Sequence, residues 1–278
     1  VTESEFLALL RPLATHPAAR GLLDDAAVLD GLVLTHDVLI EGVHFLPGDP
    51  PDDVAWKLVA VNLSDLAAKG ATPVGVLLGY PLGDDAWDRG FARGLGDALA
   101  HYDVALLGGD TVKGPRVLSL TAIGRTAVAP SRSGALASDA LWVTGVIGRG
   151  GLGLRGDPDH LAAYRRPVPR LAEGKRLGPI VHAMMDVSDG LLIDARRMAD
   201  ASGLAVEIDL DAVPVVGERM AAVTAGDDYE LLFALPIGIA PPVAATRIGA
   251  FHQGRGLTLR DAAGPVPVPD RLGWQHGV

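Results

Sequence analysis

Between Val54 and Ala68 only Lys57, Asn62, Ser64 and Asp65 interrupt an apolar run, and Gly70 with Pro73 beyond it supplies a stop. The spacing predicts a helix over roughly 54–69 that is buried on most sides. At about 100° per residue, Asn62, Asp65 and Lys69 fall on one face of it. A buried carboxylate needs a cation or hydrogen-bond donors. An internal Asp65–Lys69 pair at i,i+4 would satisfy Asp65, and so would a metal ion or a substrate.

The rest of the chain alternates strand-like and helix-like segments. Glu3 to Leu13 reads as a short helix. Residues 25–29 and 32–36 read as strands joined by an Asp30-Gly31 turn. Val74–Tyr80, Val104–Leu107 and Val117–Ile123 are further strands, with a helix from about Asp85 to His101. Arg125 to Ser138 is small, polar and rich in turn residues, and marks the boundary between two units, 1–133 and 134–278. The second unit opens on a strand at Ala140–Val146. It continues with a glycine-rich stretch (148–154), a helix from about Ser188 to Gly203, and strands at Leu204–Ile208 and Tyr229–Leu235. The fold class is α+β, mixed α/β, in two domains.

Composition narrows the function. With 34 acidic against 24 basic residues, the net charge of −10 leaves no basic excess for a nucleic-acid surface. There is no cysteine, which removes disulfides, zinc-thiolate centres and thiol catalysis. No apolar run is long enough to cross a bilayer and the N-terminus is acidic, so the expectation is a cytoplasmic enzyme without membrane partners.

The carboxylates are informative through their placement. They recur at the ends of apolar segments beside glycine, serine or threonine: Asp24-Asp25, Thr35-His36-Asp37, Asn62 to Asp65, Gly108-Gly109-Asp110-Thr111, Asp186 to Gly190, and Gly226 to Glu230. Segment ends are where folds display side chains into a crevice. Oxygen-only ligands suit magnesium, which would let an acidic protein hold a polyphosphate. Helix capping and Asx turns explain any single cluster as well. The pair Asp194 and Arg197 reads as solvated helix surface. Walker A, dinucleotide-binding, His-Glu-Xaa-Xaa-His and Gly-Xaa-Ser-Xaa-Gly patterns are all missing.

Seven segments in order, Asp24-Asp25-Ala26-Ala27, DVLIEGVHF (37–45), VNLSDLAA (61–68), GGDT (108–111), RSGA (132–135), DVSDGL (186–191) and DDYELLF (227–233), resemble the thiamine-monophosphate kinases. These belong to the superfamily of aminoimidazole ribonucleotide synthetase. The resemblance implies a two-domain fold of that superfamily, and a homodimer whose N-terminal sheets join. It also implies a cleft holding several Mg2+ ions, where ATP phosphorylates thiamine monophosphate to the diphosphate. By the same resemblance Asp24, Asp37, Asp65, Asp110, Asp186 and Asp189 are metal ligands, helped by Thr35 and Asp25. Ser188, Gly109 and Asp110 meet nucleotide phosphates. Arg132 meets the transferred phosphate and, with Asp189, serves catalysis. His44 and Trp274 line the thiamine site. Leu23 stands where the family usually has glycine, and His36 where it has a small hydroxyl residue. Alternative readings on the same scaffold are an ATP-dependent cyclase like aminoimidazole ribonucleotide synthetase and a non-catalytic nucleotide sensor.

Overall fold

The computed structural model describes residues 2–275, so Val1 and Val278, the outer ends of the two expected units, lie outside the described residues. In the first half, α1 (Glu3–Leu10) is capped by Thr2 and gives way to a 3-10 turn at Arg11–Leu13. Pro12 has no amide hydrogen to continue an α-helix, so the expected helix to Leu13 is shortened. Strands β1 (Ala27–Leu29) and β2 (Leu32–Ile40) form a hairpin, with Asp30 and Gly31 both at positive φ in the two-residue turn. Helix α2 (Pro51–Ala68) follows, then β3 (Thr72–Leu82), α3 (Asp85–Tyr102), β4 (Ala105–Lys113) and β5 (Val117–Arg125).

These strands make a five-stranded sheet in the order β1-β2-β5-β3-β4. Strand β5 buries alternate residues, Leu118, Leu120 and Ala122, against α2. Strand β4 differs: every residue in it is exposed. The Gly108-Gly109-Asp110-Thr111 segment, read from sequence as lying just past the end of a strand, is the middle of this edge strand and pairs in parallel with β3. The strand continues through the two glycines, which both take φ near +150, a conformation that residues with side chains rarely adopt, and Gly109 admits the Leu78 carbonyl where a Cβ would clash.

The second half carries β6 (Ala140–Thr144), α4 (Arg149–Leu154), α5 (Leu161–Arg165), α6 (Leu171–Leu177), β7 (Ala183–Asp186), α7 (Leu191–Ser202), β8 (Ala205–Asp209), α8 (Arg219–Val223), β9 (Leu231–Leu235), β10 (Ala245–His252), β11 (Gly256–Asp261) and β12 (Gly264–Val266). Its seven strands run in the order β12-β11-β8-β10-β6-β9-β7. Strands β7 and β9 are buried along their whole length; β9 is an unbroken apolar run, and β7 is apolar up to Asp186 at its end.

Helix α2 joins the halves. One side packs on the first sheet through Leu58, Leu63 and Leu66, while Ala67 and Ala68 sit in a cluster with Leu177, Met184 and Phe233 of the second half. Gly174 is required there, since a Cβ would overlap the Ala67 carbonyl. Polar bridges add to the junction. Lys57 Nζ lies 2.7 Å from Asp227, and Tyr164 donates its hydroxyl to Asp49 at 2.8 Å. Among the described residues, no helix is long and apolar enough to cross a membrane.

Candidate active site

A cleft of about 900 Å³ opens between the two halves, lined from both by Asp25, Asp37, Asp65, Asp186, Ser188 and Asp189, with Arg132 at its edge. Each carboxylate arrives on a regular element. Alternation along β2 turns Thr35 and Asp37 to one face and His36 to the other, where its ring meets the Thr121 hydroxyl at 2.8 Å. His36 therefore takes no place among the acids. Asp65 comes from α2, and the Thr35 hydroxyl donates to it in a very short hydrogen bond. Asn62, one turn before, is fully buried; its Oδ1 accepts the Asp37 amide at 3.2 Å and its Nδ2 donates to the Leu58 carbonyl. Asp186 ends β7 and accepts a hydrogen bond from Ser64 Oγ at 2.5 Å.

Asp25, Asp65 and Asp186 each present a carboxylate oxygen within 4.8 Å of the other two. Asp24, expected as the ligand of its pair with Asp25 in support, is placed otherwise. Its oxygens lie 2.5 Å from Lys69 Nζ and 2.5 Å from Arg20 Nη1, and Asp25 is the residue that joins the group. The side chain nearest Lys69 is likewise not Asp65 but the Asp24–Asp25 pair.

Burial pushes these carboxyls up, and their charges push one another further. Asp37 is raised to about 6 by burial with Asp25 and Asp189 nearby, and Asp186 to about 8 by burial and then Asp25. Asp65 stands well above its ordinary value, through burial and then Asp37 and Asp186. Asp25 goes the opposite way: burial raises it, but Arg132 and Lys69 together outweigh that and hold it below the usual carboxylate range. The donors gathered here are all oxygens, three close carboxylates with the Thr35 hydroxyl beside them, and the bases near them are taken up by Asp24 and Asp25. That set fits Mg2+ and lacks the nitrogen and sulfur that softer metals prefer.

The loop after β7 is held by a residue that the sequence reading assigned to the surface. Asp194 is fully buried, and its Oδ2 accepts the amides of Ser188, Asp189 and Gly190 at 3.1 to 3.2 Å. Arg197 clasps Asp194 Oδ1 at 2.9 Å and Asp189 Oδ2 at 2.5 Å. Helix α7 starts at Leu191 rather than Ser188, because those three amides bond to a side chain. Asp194 is in the first turn of the observed helix but in the second turn of the one expected from Ser188, so its spacing to Arg197 alone gave no signal of this. From the other side Gly226 approaches the Ser188 carbonyl where a Cβ would clash, and the Asp227 amide donates to that carbonyl at 2.8 Å. Arg132 bonds Asp25 and keeps a buried Nε without a hydrogen-bond partner, a donor that a phosphate oxygen can take.

Four expected residues lie outside the group of acids. Gly109 and Asp110 lie on β4, separated from β2 by β5 and β3, about 14 Å across at ordinary strand spacing. His44 is on the turn after β2, its Nδ1 accepting the Ile40 amide and its carbonyl accepting Lys57. Trp274 is at the rim of the cleft, where its amide donates to the Asp189 carbonyl at 2.8 Å and Arg271 lies over its ring. Leu23 takes φ −116, a conformation open to any residue; positive φ falls instead on Arg20, Gly21 and Leu22.

Comparison with known proteins shows the family. The family model "AIR synthase related protein, N-terminal domain" matches residues 23–126, and its C-terminal counterpart matches 133–263. A thiamine-monophosphate kinase of Caulobacter vibrioides is 40% identical over 99% of this chain and 91% of that protein. The solved structure of the thiamine monophosphate kinase from Aquifex aeolicus has a TM-score of 0.82 at 28% identity, covering 95% of this chain and 97% of its own. A solved structure named AaThiL complexed with AMPPCP and TMP has a TM-score of 0.88 at 28% identity, covering 99% of this chain and 97% of its own. The chain belongs to the thiamine-monophosphate kinase family, within the AIR synthase related proteins.

Proposed function

We infer that the chain is an enzyme that uses ATP to phosphorylate thiamine monophosphate to thiamine diphosphate, releasing ADP. The observation that carries this is convergence. Carboxylates from β2, α2 and β7, far apart in sequence, meet in one cleft, in a chain 40% identical to a thiamine-monophosphate kinase.

The acceptor is a phosphate monoester, largely deprotonated near neutral pH, so no strong general base is needed. The harder task is bringing two anions together. Two unit charges at about 4 Å repel by roughly 4 kcal/mol at an effective dielectric of 20, and phosphates carry more than one charge each. Bound Mg2+ ions, several of them, would neutralise that repulsion and the charge that develops on transfer. Asp25, Asp37, Asp65, Asp186 and Asp189 would hold them, with Thr35 oriented by its bond to Asp65; Asp24 serves by fixing Lys69. Arg132 turns its donors to the transferred phosphate, and Ser188 offers the nucleotide its hydroxyl. Asp194 and Arg197 keep Ser188 and Asp189 in place. Trp274 at the rim and His44 would wall the thiamine site. Transfer is direct and in line, with no covalent enzyme intermediate.

A second subunit completes the reading. Strand β4 is an unpaired edge carrying exposed Leu106, Leu107 and Val112, the kind of surface that pairs with another copy. In a homodimer with joined N-terminal sheets, Gly109 and Asp110 would reach nucleotide across that junction. We assign the N-terminal unit to 1–133, the C-terminal unit to 134–278, and the enzyme to the cytoplasm, with no nucleic-acid or membrane partner.

The test is purified protein with ATP, Mg2+ and thiamine monophosphate. Thiamine diphosphate with one ADP per product is expected. ADP with inorganic phosphate and a cyclised imidazole, from a ribonucleotide substrate, would point to the cyclase. ATP binding without transfer would point to a sensor.

A further inference from the structure

Lys69 ends α2 with its side chain 0% exposed. Its Nζ lies 2.5 Å from Asp24 Oδ1 and 2.6 Å from Asp25 Oδ2, and it donates to the Met184 carbonyl at 3.1 Å. Two carboxylates and one carbonyl are the surroundings a small cation would have. Both carboxylates face the ammonium directly inside the fold, the arrangement that favours the charged form of a buried lysine. Its three partners lead into the acid group from two directions. Asp25 is itself one of the three close carboxylates, and Met184 lies on β7, the strand that ends at Asp186.

The other bases nearby differ in kind. Arg20 and Arg132 are about a fifth exposed; Arg132 lines the cleft, where an entering phosphate can reach it, while Arg20 also donates to the Ala129 and Pro130 carbonyls. Lys69 has no exposed surface, and its carbonyl contact pins it to β7 as well. Its charge is fixed by the fold.

We propose that Lys69 is a tethered cation of the active site: its ammonium takes the place and the charge of one ion, so the acid cluster recruits fewer divalent ions from solution than its carboxylates would otherwise hold. The proposal rests on the metal-binding reading of the cleft, with Asp24 retained as the second anchor of the ammonium. The charge arithmetic favours it. A fixed positive charge a few ångströms from a divalent ion opposes that ion's binding, and its removal from a buried site is worth on the order of tenfold or more in affinity.

The experiment is Mn2+ titration of the full chain without nucleotide, with free ion read by electron paramagnetic resonance. Lys69→Met is expected to bind an additional Mn2+ per chain, or to bind it on the order of tenfold more tightly. Lys69→Arg, which keeps the charge, is expected to follow the wild type. The double variant Asp24→Asn with Lys69→Met removes one charge of each sign and is expected to return to wild-type affinity. A Lys69→Met chain that folds only with Mn2+ present supports the proposal. Equal or weaker Mn2+ binding by Lys69→Met overturns it while leaving the metal site standing. If Lys69→Met fails to fold under all conditions, the double variant decides: an affinity more than about tenfold from wild type overturns the proposal. Absence of Mn2+ binding by the wild type would overturn the metal reading and this inference together.

Discussion

Asp25 and Asp186 lie in the same group of oxygens, yet the fold treats them in opposite ways. On the floor, Asp24 and Asp25 are met by Arg20, Lys69 and Arg132, and the Asp25 carboxyl is held below its ordinary range. On the walls, Asp65 and Asp186 each accept a hydroxyl, from Thr35 and Ser64, and burial raises both of them and Asp37 as well. A chain that could neutralise one set of acids internally leaves the other to be balanced from solution. The floor is thus balanced within the chain, although Asp25 also presents an oxygen to the acid group, whereas among the described residues no cation of the chain is bonded to the wall carboxylates.

The largest way to break that contrast is on the walls. Asp65→Asn or Asp186→Asn is expected to lower turnover by about a thousandfold, equivalent to about 4 kcal/mol of lost transition-state stabilisation. In chelator at pH 8 the same variants are expected to melt no lower than the wild type, because they remove mutual repulsion. Steady-state kinetics beside thermal unfolding checks both halves. A large fall in stability with turnover kept would reverse the assignment of floor and walls.

The next effect is on pH. A carboxyl whose folded value is raised keeps a proton that the unfolded chain has lost, so folding weakens as pH rises from the unfolded value to the folded one. With Asp37 near 6 and Asp186 near 8, against 3.8 for an ordinary Asp, metal-free stability should fall steadily between about pH 4 and pH 8. Saturating Mg2+ should flatten that slope, since bound metal favours the ionised form. Melting temperatures across the range, with chelator and with Mg2+, provide the measurement. Asp25, below the ordinary range, adds stability above the unfolded value and loses it only in stronger acid.

The smallest effect sharpens the contrast by its absence. Arg196 and Asp200 form an exposed pair one residue along from Arg197. Arg196→Ala is expected to change stability by about 0.5 kcal/mol or less, read by denaturant unfolding. A larger change would mean that charges at the rim of the cleft are coupled to those inside it.

The buried nature of α2 and the meeting of distant carboxylates were legible in the sequence, because an apolar run with few polar breaks has one physical meaning and acids at segment ends have few. The partners of those acids were not. Lys69 is four residues from Asp65 on the same helix, but its side chain leaves that face for residues forty or more positions away, a choice set by where the segment before β1 and strand β7 lie against the end of α2. Asp194 looked solvent-facing from its spacing to Arg197. Its burial comes from a loop folding back over the helix start, which periodicity cannot report. The Gly108–Thr111 segment read as lying past the end of a strand because glycine often ends strands; only pairing with β3 shows the strand continuing.

Helix α2 has one further consequence. With Leu58 and Leu63 in the core of the first half and Ala67 and Ala68 in the cluster at the junction, parting the halves would bare apolar surface on both, even though the second half also has a core of its own. Cutting the chain in the 126–133 connection should yield two insoluble pieces rather than two small proteins. Heating should likewise give a single cooperative transition, so that damage to the distal sheet is felt at once where phosphate is handled.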